Sequence, residues 1–450
     1  MTNTPFGFGL PQDPDDDDET RSGDSNPFGA GNPLAALFGA AGGGPADLGA
    51  ALQQIGKLLS YEGGPVNWDL ARDTARQTVA AAGDRSVSDA ERRAVDEAVR
   101  LAEVWLDGAT GLPAATTGAQ AWSRAEWVEG TLPAWQRLVE PVARKVVETA
   151  GTAIPEEMQA MAGPMVGMAQ QLTGAMFGGQ VGQGVGQLAG EVVTGTDVGL
   201  PLGPIGTAVL VPQNVAEFGA GLEVPEEEVR LYLALREAAH HRLFAHVSWL
   251  DAALHHAVAD YAAGITVDTG RLEELVRGID PNDMSQVQGA LTEGMLAPED
   301  TPAQRQALAR LETLLALVEG WVDAVVTTAA ATLPSAAALR ETVRRRRATG
   351  GPAEQTFATL VGLELRPRRL RDAAALWEEL ASARGTEGRD AVWEHPDLLP
   401  TADDLDDPAG FVAGGAGAAL DLSGLDDLPP SAAGPESSGP DAPEPGTATS

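Results

Sequence analysis

The 450-residue chain contains no cysteine. Disulfides, thiol catalysis and thiolate metal sites are excluded at once. Aromatic residues make up only 5%, so helices must pack through alanine and glycine, closely and with little area buried per residue. Positive charge is scarce as well: 30 Lys and Arg stand against 65 Asp and Glu, a formal net charge of −35. A nucleic-acid partner needs a basic surface to displace counterions, and an anionic membrane surface needs the same, so the charge argues against both as partners. The N-terminus, MTNTPFGFGLPQD, has neither a basic region nor an apolar core and does not read as a signal peptide, which gives a cytoplasmic location by default.

No charged residue falls between Glu157 and Glu191, which invites a membrane check. The interval carries Gln159, Gln170, Gln171, Gln180, Gln183, Gln187 and Pro164. A spanning helix needs about 20 predominantly apolar residues, so insertion is not expected.

What is present is mostly helical pattern. Hydrophobic residues reach 43%, enough to supply a core. Residues 1–48 and 405–450 are Gly-, Pro- and Asp-rich and read as disordered tails, the second holding ten acidic residues from position 401 on and no Lys or Arg. Residues 49–150 read as an N-terminal helical region, with a first helix in ADLGAALQQIGKLLS and Asn67 as a helix cap further on. Trp68, Trp105, Trp122, Trp127 and Trp135 are expected to knit its core. AWSRAEWVEGTLPAWQRLVEPVARKVVETA reads as two helices.

Residues 151–404 form the second region. Gly174, Gly178, Gly182, Gly186 and Gly190 recur every fourth position. On a helix they make one smooth stripe, and glycine costs about 1 kcal/mol per helical position relative to alanine. Such a stripe is explained by a very close neighbouring backbone; a glycine-rich loop is the competing reading. Thr207 to Val211 is the best place for a small sheet. Long helices follow from Pro225 to about Ala245, from Trp249 to Ala263, and from Thr301-Pro302 to about Ala330. The fold class is mainly α with a small β-sheet. No phosphate-binding loop, nucleophile elbow or dinucleotide fingerprint occurs. Basic runs at Arg344 to Arg347 and around Arg366, Arg368, Arg369 and Arg371 are expected to bind the chain's own carboxylates or an acidic partner segment.

Chemistry concentrates in one place. His240, His241, His246, His255 and His256 lie within 17 residues, in and just after ALREAAHHRLFAHVSWL. An HExxH helix presents two histidines one turn apart to zinc, with the glutamate beside the metal. Here the string reads Arg236, Glu237, Ala238, Ala239, His240. On its own ExxH is a weak signal, and a solvated or core-satisfied histidine cluster is its ordinary explanation. Glu237 with His241, and Asp251 with His255, are also spaced i, i+4, with His246 nearby, so a shifted zinc site is an alternative, although no replacement triad of ligands stands out.

The chain resembles a family of bacterial zincin-like metallopeptidases, with a sister group associated with deazaflavin coenzyme biosynthesis. The resemblance rests on PFGFG, GPVNWDLA, WSRAEWVE, LVPQN, LREAAHHRLFAHVSWL, LVEGWVDAVV, GLELRPRRLRDAAALW and AVWEHPDLLP, in that order. It implies a zincin-like domain, a zinc ion and a peptide or protein substrate. By position it makes Glu237 the general base and His240 and Glu319 metal ligands, with Trp321 at an accessory position; His241 and His246, close by in sequence, are further accessory candidates. Arg236 stands where the first ligand belongs and cannot serve, since a guanidinium has no lone pair to offer. Trp321 replaces a histidine of the sister group's glutamate-glycine-histidine element. Two functions follow: a zinc-dependent peptide hydrolase, or a pseudo-peptidase that binds a peptide or protein without metal. In the second, an Arg236–Glu319 ion pair is expected to fill the metal site.

Overall fold

The computed structural model describes residues 64–152, 163–265, 301–348 and 369–414. The helix expected within 49–62 and the arginines at 366 and 368 lie outside them. In chain order the elements are α1 (Trp68–Ala82), α2 (Asp89–Leu106), β1 (Gly118–Ala121), α3 (Arg124–Thr152), α4 (Gly163–Ala189), β2 (Thr207–Leu210), α5 (Pro212–Gly219), α6 (Glu226–His246), α7 (Leu250–Ala263), α8 (Pro302–Ala329), α9 (Ala336–Ala348), α10 (Leu370–Asp390), α11 (Ala402–Asp406) and α12 (Pro408–Gly414).

Local chemistry explains where several of these begin. The Asn67 side chain accepts the Leu70 amide and caps α1. Ser88 with Glu91, and Thr301 with Gln304, form reciprocal capping boxes at the starts of α2 and α8. Three glutamates, Glu226, Glu227 and Glu228, occupy the first turn of α6, where the helix dipole favours negative charge.

Gly174, Gly178, Gly182 and Gly186 of the glycine stripe lie on the helix α4, whose close neighbour is α1, and Gly190 lies just past the helix end. A Cβ on Gly186 would stand 2.7 Å from Thr78 Cβ and 2.8 Å from the Ala75 carbonyl oxygen, and Gly178 and Gly182 are as crowded by Asn67 and Ala71. The helix propensity given up along the stripe is exchanged for backbone-to-backbone packing. None of the described helices is long and apolar enough to cross a membrane.

Three elements differ from the sequence reading. The stretch read as two helices is the single helix α3, which continues through Pro133 and Pro141. β1, with sequence GAQA, has no β-branched residue to announce it, yet it pairs in parallel with β2, Gly118 opposite Thr207 and Ala121 opposite Leu210. Of residues 405–414, read as part of a tail, Leu405 and Asp406 end α11 and 408–414 form α12. Leu405 is buried, and both helices pack on α10.

Two helices run through the centre. From Val229 to Leu243 every residue of α6 except Arg230 is buried. From Ala316 to Val326 every residue of α8 is buried. A helix buried on all sides is ordinarily apolar all round. These two carry Arg236, Glu237, His240, His241, Arg242, Glu319 and Asp323 inside that stretch, so each charge must find a partner within the protein.

Candidate functional site

Arg236 and His240 lie one helical turn apart on α6 and face α8. Arg236 Nη2 donates to Glu319 Oε2 at 2.6 Å. His240 Nε2 is 3.0 Å from Glu319 Oε1, and its Nδ1 lies 2.8 Å from the Arg236 carbonyl oxygen. A second guanidinium arrives from α9: Arg347 Nη2 is 2.9 Å from Glu319 Oε1. Burial by itself would raise the Glu319 pKa. Arg347, His240 and Arg236 outweigh it and hold the carboxyl far below the usual carboxylate range.

Glu237 points elsewhere. It is fully buried, and both of its oxygens are occupied. Oε2 accepts from the Thr196 amide at 3.0 Å and from Thr196 Oγ1 at 2.5 Å. Oε1 accepts from the Val209 amide on β2 at 3.0 Å, and His241 Nε2 lies 3.4 Å away. Burial opposes its ionisation, but the bonds from His241, Thr196 and Val209 prevail and lower its pKa. A carboxylate held this way ties α6 to the sheet and to the loop before it. It has no oxygen turned toward a reacting water.

The remaining candidates separate. His246 is exposed at the end of α6, with Nε2 3.0 Å from the Pro113 carbonyl oxygen. Trp321 does not join Glu319. Two positions on, it points about 200° round the helix, where Nε1 donates to Asp390 Oδ1 at 2.9 Å. Asp390 also accepts from Thr110 Oγ1 and the Gly111 amide, so Trp321 belongs to a structural junction. Gly320, between the two, is the point where α8 meets α10: a Cβ there would lie 2.8 Å from the Ala373 backbone. His255 and Asp251 approach to 3.5 Å away from the cluster, and His395 is exposed beside Asp397.

Sequence reasoning did not assign Thr196, Asp197 or Arg242, nor give Arg347 its place on Glu319. Arg346 Nη1 and Arg347 Nη2 both reach Asp197, at 3.1 and 3.9 Å. Arg242 is buried and pins α2 through Glu103 and Asp107. The Arg344 to Arg347 run was the visible signal, and the structure turns all four of its arginines onto the chain's own carboxylates, Asp323, Glu341, Asp197 and Glu319 in turn.

Zinc requires three protein donors and an open position. Of the residues that the resemblance assigns to the metal, His240 and Glu319 are brought together, and the Arg236 and Arg347 guanidiniums both lie on Glu319. Among the described residues no group of three His, Asp or Glu side chains is arranged to hold a metal. A dication set beside two guanidiniums would be repelled. The residues present do not fit zinc.

A family model of zincin-like metallopeptidases matches residues 66–412. Among solved structures, a proposed hydrolase with a novel fold from Chloroflexus aurantiacus is similar, with a TM-score of 0.54 and 21% identity over 78% of this chain and 99% of that one. At that identity the likeness concerns the fold. No curated protein matches the chain.

Proposed function

The chain belongs to the zincin-like metallopeptidase family, and from that premise we propose that it is a pseudo-peptidase, a member that keeps the scaffold to bind a peptide or protein and carries out no zinc hydrolysis. One observation carries the reading. The carboxylate that matches the family's glutamate ligand, Glu319, is already neutralised by Arg236 at 2.6 Å and Arg347 at 2.9 Å. The residue matching the general base supports it, since Glu237 spends both oxygens on Thr196, Val209 and His241. Peptide or protein remains the expected class of partner because that is what the family's scaffold acts on.

The test is metal content of the purified full chain after incubation with zinc, read by elemental mass spectrometry beside Glu319→Ala, together with cleavage of a mixed peptide library. The expected result is well below one zinc per chain and no cleavage. One zinc per chain that disappears in Glu319→Ala, with cleavage, would restore the hydrolase reading. Selection of a displayed peptide library on the immobilised chain tests the binding half, and failure to enrich any sequence would remove it.

A further inference from the structure

α6 and α8 run antiparallel, with Arg236 opposite Glu319 and Glu228 reaching Ser335 beyond the end of α8. The turn beyond the Arg236–Glu319 layer therefore holds Tyr232 on α6 and Asp323 on α8. α9 closes this second layer. Arg340 and Arg344, one turn apart, both donate to Asp323 Oδ2, each at 2.6 Å. Tyr232, Asp323, Arg340, Arg344 and Arg236 lie within electrostatic reach of one another.

Two polar atoms of this layer have no hydrogen-bond partner among the described residues: the Tyr232 hydroxyl and Arg344 Nε, both buried. Each can donate. An unmet buried donor costs about 1–3 kcal/mol, so two in one layer mark a place built for an acceptor. Burial pushes the Tyr232 hydroxyl up to about 12, which keeps it a neutral donor. Tyr232 is 1% exposed, while about a fifth of the Arg344 side chain reaches solvent.

We propose that Tyr232 and Arg344 form a site for a carboxylate, and that a peptide's terminal carboxylate is what it takes. A carboxylate has two acceptor oxygens, one for the phenol and one for Nε, and a hydrogen bond from a guanidinium to a carboxylate is charge-assisted. The source of the carboxylate rests on the peptide-binding reading above. The site itself does not.

The test uses thermal unfolding of the full chain at pH 7 in sodium acetate and in sodium chloride of equal ionic strength, for wild type, Tyr232→Phe and Arg344→Lys. The lysine keeps the charge beside Asp323 but removes Nε. A rise in Tm of about 3 °C with acetate in wild type, absent from both variants, is expected. No acetate response in wild type, or an equal response in all three, overturns the site and leaves a sealed-in water as the partner of both donors. A second arm titrates one short peptide as the free acid and as its C-terminal amide. Stabilisation by the acid alone is expected. An acetate response with none from the acid overturns the peptide source while the carboxylate site stands, and the metal and cleavage assays are untouched by either result.

Discussion

Arg236 Nη2 stands 2.6 Å from Glu319 Oε2, both side chains buried, on helices 83 residues apart in sequence. The cation that neutralises this buried carboxylate is covalently part of the chain. The rest of the cluster gathers on the same group. His240 turns its Nε2 to the same carboxylate, and Arg347 adds a second guanidinium.

Removing that guanidinium leaves a buried carboxylate with a reduced set of partners. Breaking a buried ion pair by deleting one member costs about 3–5 kcal/mol. Arg347 and His240 remain, so Arg236→Ala should fall at the low end, about 3 kcal/mol. The check is the urea midpoint at pH 7; a variant as stable as wild type would show that the pair contributes nothing.

The reverse substitution separates decay of the metal site from loss of the scaffold. Arg236→His supplies the missing donor beside Glu237 and His240, but Arg347 still occupies Glu319. Zinc should therefore bind poorly to Arg236→His and reach about one per chain in Arg236→His with Arg347→Ala, since three donors are then free to ligate. Elemental analysis after dialysis reads this directly.

Acid should find the buried carboxylates. Glu319, Glu237 and Asp323 all have pKa values lowered in the folded chain. In each case burial acts in the opposite direction and is outweighed, for Glu319 by Arg347, His240 and Arg236, for Glu237 by His241, Thr196 and Val209, and for Asp323 by Arg340, Arg344 and Arg236. A depressed folded pKa contributes stability that is fully present above the unfolded value, about 4 for these side chains, and is lost as pH falls through the folded one. Unfolding midpoints should be flat in these terms from pH 7 to about 5 and drop below about pH 4. Glu319→Gln should be weaker at pH 7 and show a shallower acid decline.

The glycine stripe gives a paired comparison. A Cβ on Gly182 would stand 2.7 Å from Thr74 Cβ and 3.0 Å from Ala71 Cα, whereas one on Gly179 meets nothing within 4 Å. Gly179→Ala should stabilise by about 1 kcal/mol through helix propensity alone. Gly182→Ala should lose that gain and destabilise by about 1–3 kcal/mol through overpacking. Tm values for the two variants should move in opposite directions.

Much of the fold was legible because its signals are local. The caps at Asn67 and Thr301, the acidic first turn of α6 and the β-branched run at Thr207 each act within a few residues, and the helices start and stop there. β1 was not legible, since Gly118 to Ala121 becomes a strand only because β2 lies alongside. Neither was the unity of α3: Pro133 and Pro141 are helix breakers in isolation, and the buried Trp135, Leu138 and Val142 hold the helix through them.

The site divides the same way. Residue types alone determined that Arg236 cannot ligate and that no thiolate can replace it, while the resemblance to the family singled out Glu237, His240 and Glu319 as the groups to watch. Only the tertiary structure decided what each of them faces. Glu237 is claimed by a β2 amide and Thr196, Glu319 by an arginine from α9, and Trp321 by Asp390 on the far side of its helix. The physical reason is that a buried charge is defined by its partners, and these partners lie tens of residues away, brought near by packing that no local pattern encodes.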